Sequence, residues 1–254
     1  DRYADYAADA GPGFVSVEQR RALYRGMFTR IQRAHPLDYY WLWTPETWTW
    51  QDVSRENVER TIEDIRAAHG ALQETGADFG LATCGWVLGP QYDRAHLDQV
   101  LPGDVAMSCI NRQVGHDPVE PGFAQVEGRP QWAVPWLEDD PAMTSVQLWA
   151  GRMRRDAHDA LEYGCTGLMG IHWRTRILAP NVSALARAAW DQSGWPAPGQ
   201  TGQETLPRHL PAQDFYADWA TGEFGAEAGP EAAAILARVD GALPRPSDWV
   251  GGPG

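Results

Sequence analysis

The sequence contains no lysine and no long hydrophobic run, and both absences narrow its range of partners. All 21 basic residues are arginine, against 34 acidic residues, and the formal net charge is −13 at pH 7. Phosphate binding needs a basic surface, so we expect no nucleic-acid partner. A bilayer-spanning helix needs roughly 20 apolar residues, and no such run is present, so we expect no membrane partner.

The sequence also lacks the spaced residues that mark several enzyme classes. The cysteines Cys84, Cys109 and Cys165 are odd in number and widely spaced, so we expect buried thiols instead of a disulfide framework or a zinc site. No His-x-His or His-Glu-x-x-His pair favours a metal site, and no Gly-x-Ser-x-Gly elbow favours a serine hydrolase. No metal ligand and no cofactor are therefore assigned.

Tryptophan, in contrast, is abundant, with 13 indoles in the chain. Several stand in polar, loop-like surroundings just after strand-like segments, among them Trp48, Trp50, Trp86 and Trp173. An indole has an apolar face that stacks on the C–H face of a sugar ring and a polar tip that suits a wet surface. The placement of these residues predicts a carbohydrate-binding surface.

A strand–loop–helix rhythm repeats five times and predicts an α/β fold with a parallel sheet. The predicted strands span residues 38–43, 78–83, 104–110, 131–137 and 167–172. They are apolar along most of their length, as in strands that are covered on both faces. The helices between them carry end signals: Ser54, Thr144 and Asn181 are predicted N-caps, and Gly76 is predicted to end a long helix.

Two architectures fit this rhythm, an open doubly wound sheet and a (β/α)8 barrel of the TIM type. No glycine-rich phosphate loop follows any strand, which argues against a dinucleotide-binding open sheet. Each strand ends instead in polar and aromatic residues, as at the active-site face of a barrel. We therefore predict barrel strands four to eight, with the first three strands upstream in a longer parent chain. A charged helix around Arg152 and Asp156 is predicted to have a solvated outer face.

The predicted domain organisation follows from a composition shift near residue 192. Residues 1–191 form the barrel region, and residues 192–254 form a Gly/Pro/Gln-rich linker with a helical C-terminal extension. Two helices are predicted in that extension, at residues 214–224 and 230–241.

Glu46 is the first candidate for acid–base chemistry. It is the only acid in the aromatic, uncharged segment of residues 41–50, and it follows the first predicted strand. Desolvation by the surrounding indoles would raise its pKa, as a proton donor needs. The alternative is a glutamate that caps a helix or faces solvent.

A second acidic group, Glu138-Asp139-Asp140, directly follows the fourth predicted strand. Adjacent carboxylates repel one another unless positive charge offsets the repulsion, and an oxocarbenium-like transition state supplies such charge. Glu138 and Asp139 are therefore candidates for a second catalytic carboxylate. In the alternative, Asp140 is a turn residue before Pro141 and the other two acids face solvent.

Polar residues at other strand ends are candidates for substrate binding. Arginine grips a carboxylate or sulfate with two parallel hydrogen bonds, so Arg174 and Arg176 suggest an anionic sugar. In the alternative, these arginines pair with the protein's own acids. The predicted substrate-binding residues are Trp43, Trp48, Trp86, Asn111, Arg112, His172, Trp173 and Arg174.

The positions of Glu46 and Glu138 in the predicted barrel resemble those of the catalytic residues of a known group of enzymes. With Glu46 closing strand four of a barrel and Glu138 closing strand seven, the chain resembles the large clan of retaining barrel glycosidases. Its Trp-rich strand ends are similar to those of α-glucuronidase-like barrels, and the resemblance covers roughly residues 17–191. It implies Glu46 as the acid/base and Glu138 as the nucleophile. That clan places asparagine before its strand-four glutamate, whereas Pro45 stands here.

These observations favour a glycoside hydrolase that cleaves a poly- or oligosaccharide, with uronate-containing and sulfated sugars among its candidate substrates. Two alternatives stay open: a non-catalytic carbohydrate-binding barrel with the same tryptophans, and a metal-dependent hydrolase. The expected partner is a carbohydrate, and the expected location is extracellular or periplasmic in a bacterium.

Overall fold

The structure is a computed structural model, and it describes residues 16–112, 117–138, 147–173, 176–193 and 210–241. Five parallel strands form one sheet in the order β1-β2-β3-β4-β5, and helices flank it. The strands are β1 (Tyr39–Trp43), β2 (Gly80–Cys84), β3 (Ala106–Ile110), β4 (Gln131–Val134) and β5 (Gly167–Leu168). The α-helices are α1 (Val17–Ala34), α2 (Arg55–Thr75), α3 (His96–Val100), α4 (Ala150–Glu162), α5 (Ala179–Trp190) and α6 (Gln213–Val239). The predicted α/β fold is confirmed.

The last two strands are shorter than the sequence predicts, because proline interrupts their ladder. β4 ends at Val134, and the next residue, Pro135, has no N–H to donate. Backbone pairing nevertheless continues past it. The Ile171 N–H donates to the Pro135 carbonyl at 3.0 Å, and the Leu137 N–H donates to the Ile171 carbonyl at 3.0 Å. The two segments therefore stay side by side up to their carboxyl ends.

The chain divides into two compact units. The first contains the described residues up to Ile110, together with residues 120–132 and 164–166. The second contains the remaining described residues, including α4, α5 and α6.

The first unit has an aromatic core between its helices and its strands. Phe28 of α1 is fully buried, and its ring centroid lies 5.2 Å from that of Tyr40 and 5.5 Å from that of Phe79. Both pairs meet edge to face, a geometry worth about 0.5–1.5 kcal/mol beyond the burial itself. The helix ends are as predicted for α2. The Ser54 hydroxyl accepts the Asn57 N–H, and Gly76 ends the helix at a positive φ of 60°.

The second unit has a separate core, to which α6 contributes directly. The sequence predicted this helix as part of a C-terminal extension. Gly225, with a φ of 80°, interrupts it between the two predicted helices. The buried residues of this core are Leu137, Ala150, Met153, Leu178, Ala184, Leu185, Ala212, Phe215, Tyr216, Ala220 and Ala233. Within the described part of the chain, no helix is long and apolar enough to cross a bilayer.

Helix α4 carries charged side chains on a buried face, so the predicted solvated face is wrong. Arg152 and Asp156 are both fully buried. The Arg152 guanidinium lies 4.0 Å from the ring centroid of Trp149 and donates to the Trp136 carbonyl at 3.3 Å. These contacts offset part of the cost of removing a cation from water. Sequence periodicity could not reveal the burial, because charged residues usually mark the solvent side.

Two predicted helix caps are also corrected. Thr144 lies outside the described residues, and α4 starts only at Ala150, after three non-helical residues at 147–149. Helix α5 starts at Ala179, so Asn181 lies inside its first turn instead of capping it.

Asn181 has a different structural role, as a buried tether. Its amide oxygen accepts the Trp149 N–H at 2.9 Å. Its amide nitrogen donates to the carbonyls of Leu137 and Gln147 at 2.8 and 3.0 Å. One fully buried side chain thus satisfies three backbone groups that would otherwise be costly to bury.

The missing cap of α4 is supplied by Asp240, at the end of α6. Its carboxylate accepts the N–H groups of Ala150 and Gly151 at 2.7 and 2.9 Å, and the Tyr216 hydroxyl at 2.7 Å. A carboxylate at a helix N-terminus satisfies free N–H groups and opposes the helix dipole. Burial raises the pKa of Asp240, and the hydrogen bonds from Tyr216 and the two N–H groups partly offset that rise.

We predict that Asp240→Asn destabilises the protein by about 1–2 kcal/mol, the usual cost of losing a helix cap. The amide would turn an N–H donor toward the N–H groups of α4. Urea unfolding at neutral pH measures the change. The matched control is Asp218→Asn, which removes an exposed ion pair with Arg187 and should cost under about 0.5 kcal/mol. Equal losses in the two variants would contradict the capping role.

A histidine–carboxylate pair joins α2 to the turn before β3. The His69 Nε2 lies 2.9 and 3.0 Å from the two carboxylate oxygens of Asp104. The His69 ring is nearly buried, whereas the Asp104 side chain is mostly exposed. The hydrogen bond from His69 lowers the pKa of Asp104 from its ordinary value.

This pair predicts a pH-dependent contribution to stability. Because the folded pKa of Asp104 is lowered, its contribution is complete above the carboxyl's ordinary pKa of 3.8 and is lost as pH falls through the lowered value. The melting temperature of the wild type should therefore exceed that of Asp104→Asn at pH 6, and the gap should narrow as the pH falls below 3.8 and through the lowered pKa of Asp104. A gap that is constant with pH would contradict this assignment.

Candidate functional site

The loop after β1 is tied to β2 at its start. Thr44 is buried, its N–H donates to the Cys84 carbonyl at 2.7 Å, and its hydroxyl donates to the same oxygen at 3.3 Å. Gly85 lies directly against the Thr44 side chain, so that a Cβ at this position would fall 2.0 Å from the Thr44 hydroxyl oxygen. The close approach explains why a glycine begins the loop after β2.

Arg94 fixes these two loops to each other. Its guanidinium donates to the Trp48 carbonyl at 2.9 Å and to the Gly89 carbonyl at 2.8 Å. The Gln91 side chain adds a hydrogen bond to the Thr49 carbonyl at 3.3 Å. The loops after β1 and β2 are therefore preorganised, as a binding surface needs.

Trp48 supports the loop from inside and cannot act as a sugar platform. Its indole is only 1% exposed, so neither ring face is available for stacking. The sequence prediction treated it as surface because it lies in a polar stretch. The signal that could have identified it is its place in the short 3-10 helix Glu46–Thr49, where one side must face inward.

Glu46 lies at the start of that 3-10 helix, and its side chain is exposed. The predicted desolvation of this carboxyl by the neighbouring indoles is therefore absent. Glu46 lines a cleft of about 580 Å³, a volume typical of small-ligand pockets. The cleft is also lined by Trp43, Gln51, Asp52, Asn57 and Asp64. Three acids, an indole and other hydrogen-bonding groups thus line one cleft.

Asp64 of α2 is a cleft residue that sequence reasoning missed. Its carboxylate accepts the Tyr24 hydroxyl at 2.8 Å and lies 3.5 Å from the Arg20 guanidinium. Burial raises the pKa of Asp64, although Tyr24 and Arg20 work against the rise. No local signal marks this residue, because its partners lie on α1, more than 35 positions away in the sequence. The cleft therefore holds two exposed acids, Glu46 and Asp52, and a mostly buried acid, Asp64.

Trp50 and Trp86 form an aromatic pair on the two loops. Their ring centroids lie 5.2 Å apart at an interplanar angle of 59°. Trp50 is 51% exposed and Trp86 is half-buried, so the pair presents indole surface to solvent. Trp86 was predicted as a substrate-binding residue, whereas Trp50 was noted only for its loop position.

In the second unit, Glu138 is fully buried at the end of the segment that follows β4. Its carboxylate accepts the Trp173 N–H at 2.7 Å. His172 and Trp173 are exposed, with Trp173 at 56%. The predicted site residues Asp139 and Arg174 lie outside the described residues, and nothing is described of the Arg176 side chain.

Asn111 and Arg112 follow β3, and they have different surroundings. Arg112 is half-buried, and its guanidinium lies 3.7 Å from the Asp117 carboxylate, which fits pairing with the protein's own acids. Asn111 is buried, and its backbone carbonyl accepts the Trp136 indole N–H at 2.9 Å. Its side-chain amide nitrogen has no hydrogen-bond partner within the described residues. A buried donor of this kind could serve a substrate oxygen.

The predicted thiols are mostly buried. Cys84 and Cys109 lie on β2 and β3 and are buried, and burial raises the pKa of Cys84. Cys165 is only half-buried, because it stands in the turn before β5.

Metal-ligating side chains come together at one place in the described chain, on α4. They belong to His158, Asp159 and Glu162. Asp159 is engaged by the Arg155 guanidinium at 2.8 Å. The cluster lies near the C-terminal end of α4, just before β5 begins, so it is at the amino end of that strand.

Comparison with known proteins gives no assignment. No protein-family model matches the chain, and no curated protein matches it.

The contact between Gly85 and Thr44 yields a test of the loop geometry. We predict that Gly85→Ala destabilises the protein by about 1–3 kcal/mol, because the added methyl overlaps the Thr44 side chain. Chemical denaturation measures the loss. Gly103→Ala is the matched control, since a Cβ there has nothing within 4 Å and its φ is not positive. A neutral Gly85→Ala would show that the two loops are not packed in this way.

Proposed function

We propose that this protein is a glycoside hydrolase that cleaves a poly- or oligosaccharide. The observation that carries the proposal is the cleft in the first unit, which Glu46, the Trp43 indole and polar side chains of α2 line together. Sugar sites combine these groups, because aromatic faces take the C–H faces of the ring and polar side chains take its hydroxyls. A carboxyl in such a cleft is a natural proton donor for a glycosidic oxygen.

The strand order supports a barrel architecture for this enzyme. Each strand neighbours the next one in the chain, without the reversal that creates the crevice of a doubly wound sheet. Right-handed crossovers that always advance in one direction place all their helices on the same face, which is how a (β/α)8 barrel is built. We propose that β1 to β5 correspond to strands four to eight of such a barrel.

The proposed chemistry gives two carboxyl groups different roles. Glu46 gives its proton to the glycosidic oxygen as the bond to the anomeric carbon breaks. Glu138 serves as the second carboxylate, which attacks the anomeric carbon or activates water. The Trp173 N–H donates to this carboxylate at 2.7 Å and holds it in place. Trp43, Trp86 and Trp173 are proposed to stack on sugar rings, and His172 to bind a hydroxyl.

The expected setting of this activity follows from its substrate. A polysaccharide too large to enter the cell must be cleaved outside the cytoplasm, so for such a substrate we propose an extracellular or periplasmic location. The acidic chain, with a net charge of −13, suits a freely diffusing enzyme better than one held on anionic surfaces.

A second candidate function, carbohydrate binding without turnover, is favoured by one observation. Glu46 is exposed and Glu138 is fully buried. A proton donor gains from desolvation, and a nucleophile needs access to the anomeric carbon, so each carboxyl departs from the surroundings expected for its role. In this case the tryptophans alone would carry the function.

Substrates with different leaving groups separate the two functions. Sugar release is measured from a panel of 4-nitrophenyl glycosides, including the glucuronide, and from glucuronoxylan. We predict that Glu46→Gln lowers kcat/KM on the polysaccharide by about 10²–10⁴-fold, the usual contribution of general acid catalysis. The loss on nitrophenyl glycosides should be much smaller, because nitrophenolate leaves without a proton. Glu138→Gln should abolish both activities.

The control is Glu59→Gln, an exposed glutamate of α2 that does not line the cleft. It should keep wild-type rates on both kinds of substrate. Wild-type protein that retains glucuronoxylan on affinity gels, yet releases no sugar from any substrate, would overturn the hydrolase in favour of the binding module. Equal losses on both substrates in Glu46→Gln would overturn its role as proton donor.

A further inference from the structure

Tyr92 is an exposed aromatic residue on the rigid loop after β2. Its side chain is 45% exposed, although its neighbours fix the backbone tightly. The Asp93 carboxylate accepts the Ala95 N–H at 3.0 Å, and the Asp93 N–H donates to the Pro90 carbonyl at 3.1 Å. A large ring that a preorganised turn holds partly in solvent can contact a ligand without a change in backbone conformation.

The guanidinium of Arg55, the first residue of α2, lies over this ring. Its guanidinium carbon lies 4.9 Å from the Tyr92 ring centroid, within the range of cation–π attraction. The His96 ring meets Tyr92 from another side, at 5.8 Å and edge to face. The side chain of Tyr92 is therefore supported in one orientation.

The Arg55 guanidinium has no ion-pair partner within the described residues. The nearest acid along the loop, Asp93, is engaged in its own turn and by the Gln99 amide at 3.2 Å. Arg20, in contrast, lies 3.5 Å from the carboxylates of Glu63 and Asp64. An oriented arginine that pairs with none of the described acidic residues is available to an external anion.

This cation stands beside the two loops that carry the aromatic pair. Gln91, which precedes Tyr92, donates from its side chain to the carbonyl of Thr49, which precedes Trp50. The two exposed aromatic residues therefore flank a direct contact between the loops. Successive sugars of one chain could stack on Trp50 and on Tyr92.

We propose that Tyr92 and Arg55 form a second sugar subsite, which takes an acidic residue of a polymeric substrate. The Tyr92 ring stacks on the C–H face of that residue, and the Arg55 guanidinium binds its carboxylate or sulfate through two parallel hydrogen bonds. This inference rests on the proposed carbohydrate function and deepens it, because it makes the substrate an acidic polysaccharide with at least two bound residues.

Affinity electrophoresis of the full chain tests the subsite against three polymers. They are a polyuronate, the same polymer after chemical reduction of its carboxyl groups, and a sulfated galactan. We expect Arg55→Gln to weaken binding of an acidic polymer by about tenfold, as for the loss of a charged hydrogen bond, and to leave the reduced polymer unaffected. Tyr92→Ala should weaken the acidic and the reduced polymer alike. Added salt should reduce the effect of Arg55.

The other variants separate failure of the subsite from failure of the carbohydrate function. Trp50→Ala should weaken every polymer, whereas Trp190→Ala, a change to an indole that is 92% exposed on α5, should weaken none. An effect of Arg55→Gln confined to the polyuronate assigns a uronate, and one confined to the galactan assigns a sulfated sugar. If Arg55→Gln and Tyr92→Ala bind the polymers as tightly as the wild type, whereas Trp50→Ala binds them weakly, the subsite alone is overturned. Absence of binding by the wild type overturns the carbohydrate function and the subsite with it.

Discussion

The guanidinium of Arg94 holds together the part of the molecule on which the functional proposal depends. It donates to carbonyls in the loop after β1 and in its own loop after β2. Loops of this length would otherwise sample many conformations, at a cost of about 1–2 kcal/mol per ordered residue when a ligand fixed them. Because arginine can satisfy two carbonyls at once, the ordering is completed during folding. The rings of Trp50, Trp86 and Tyr92, which are all at least partly exposed, therefore stand on loops whose conformation does not need to change when a ligand binds.

In the second unit, too, single polar side chains each bond several backbone groups. Asn181 satisfies three backbone groups between α4, α5 and the segment after β4, and Asp240 caps α4 from the end of α6. Both contacts are polar and buried, so their geometry is demanding and alternatives are costly. Glu138 is likewise fixed by a hydrogen bond, which its carboxylate accepts from the Trp173 N–H. In the second unit, a backbone N–H thus holds the Glu138 carboxylate in place. In the first unit, the Glu46 carboxyl is exposed and lines the cleft.

The sequence predicted those features whose causes are local. Ser54 and Gly76 delimit α2 because a hydroxyl cap and a left-handed glycine act within one turn of the chain. The five strands were recognisable because buried parallel strands are apolar along their length. Trp48, Arg152 and Asn181 were misjudged for one shared reason: each is polar or stands in a polar stretch, and its burial depends on partners distant in the sequence. Asp64 and Tyr92 were missed because neither is part of a motif, and only the folded chain brings Tyr24 and Arg55 beside them.

The charge distribution reconciles an acidic protein with the acidic substrate proposed for it. A net charge of −13 repels polyanions at long range, but in physiological salt that field decays over about 8 Å. Within that distance, the neighbouring charged groups determine the attraction or repulsion of a ligand. At Tyr92, the Arg55 guanidinium is such a group. The long-range repulsion lowers the rate at which a polyanion arrives, whereas the local cation lowers the rate at which a correctly seated residue leaves. Selectivity for acidic residues at one subsite is therefore compatible with an acidic surface elsewhere, and it would be sharper than on a basic protein, which attracts polyanions everywhere.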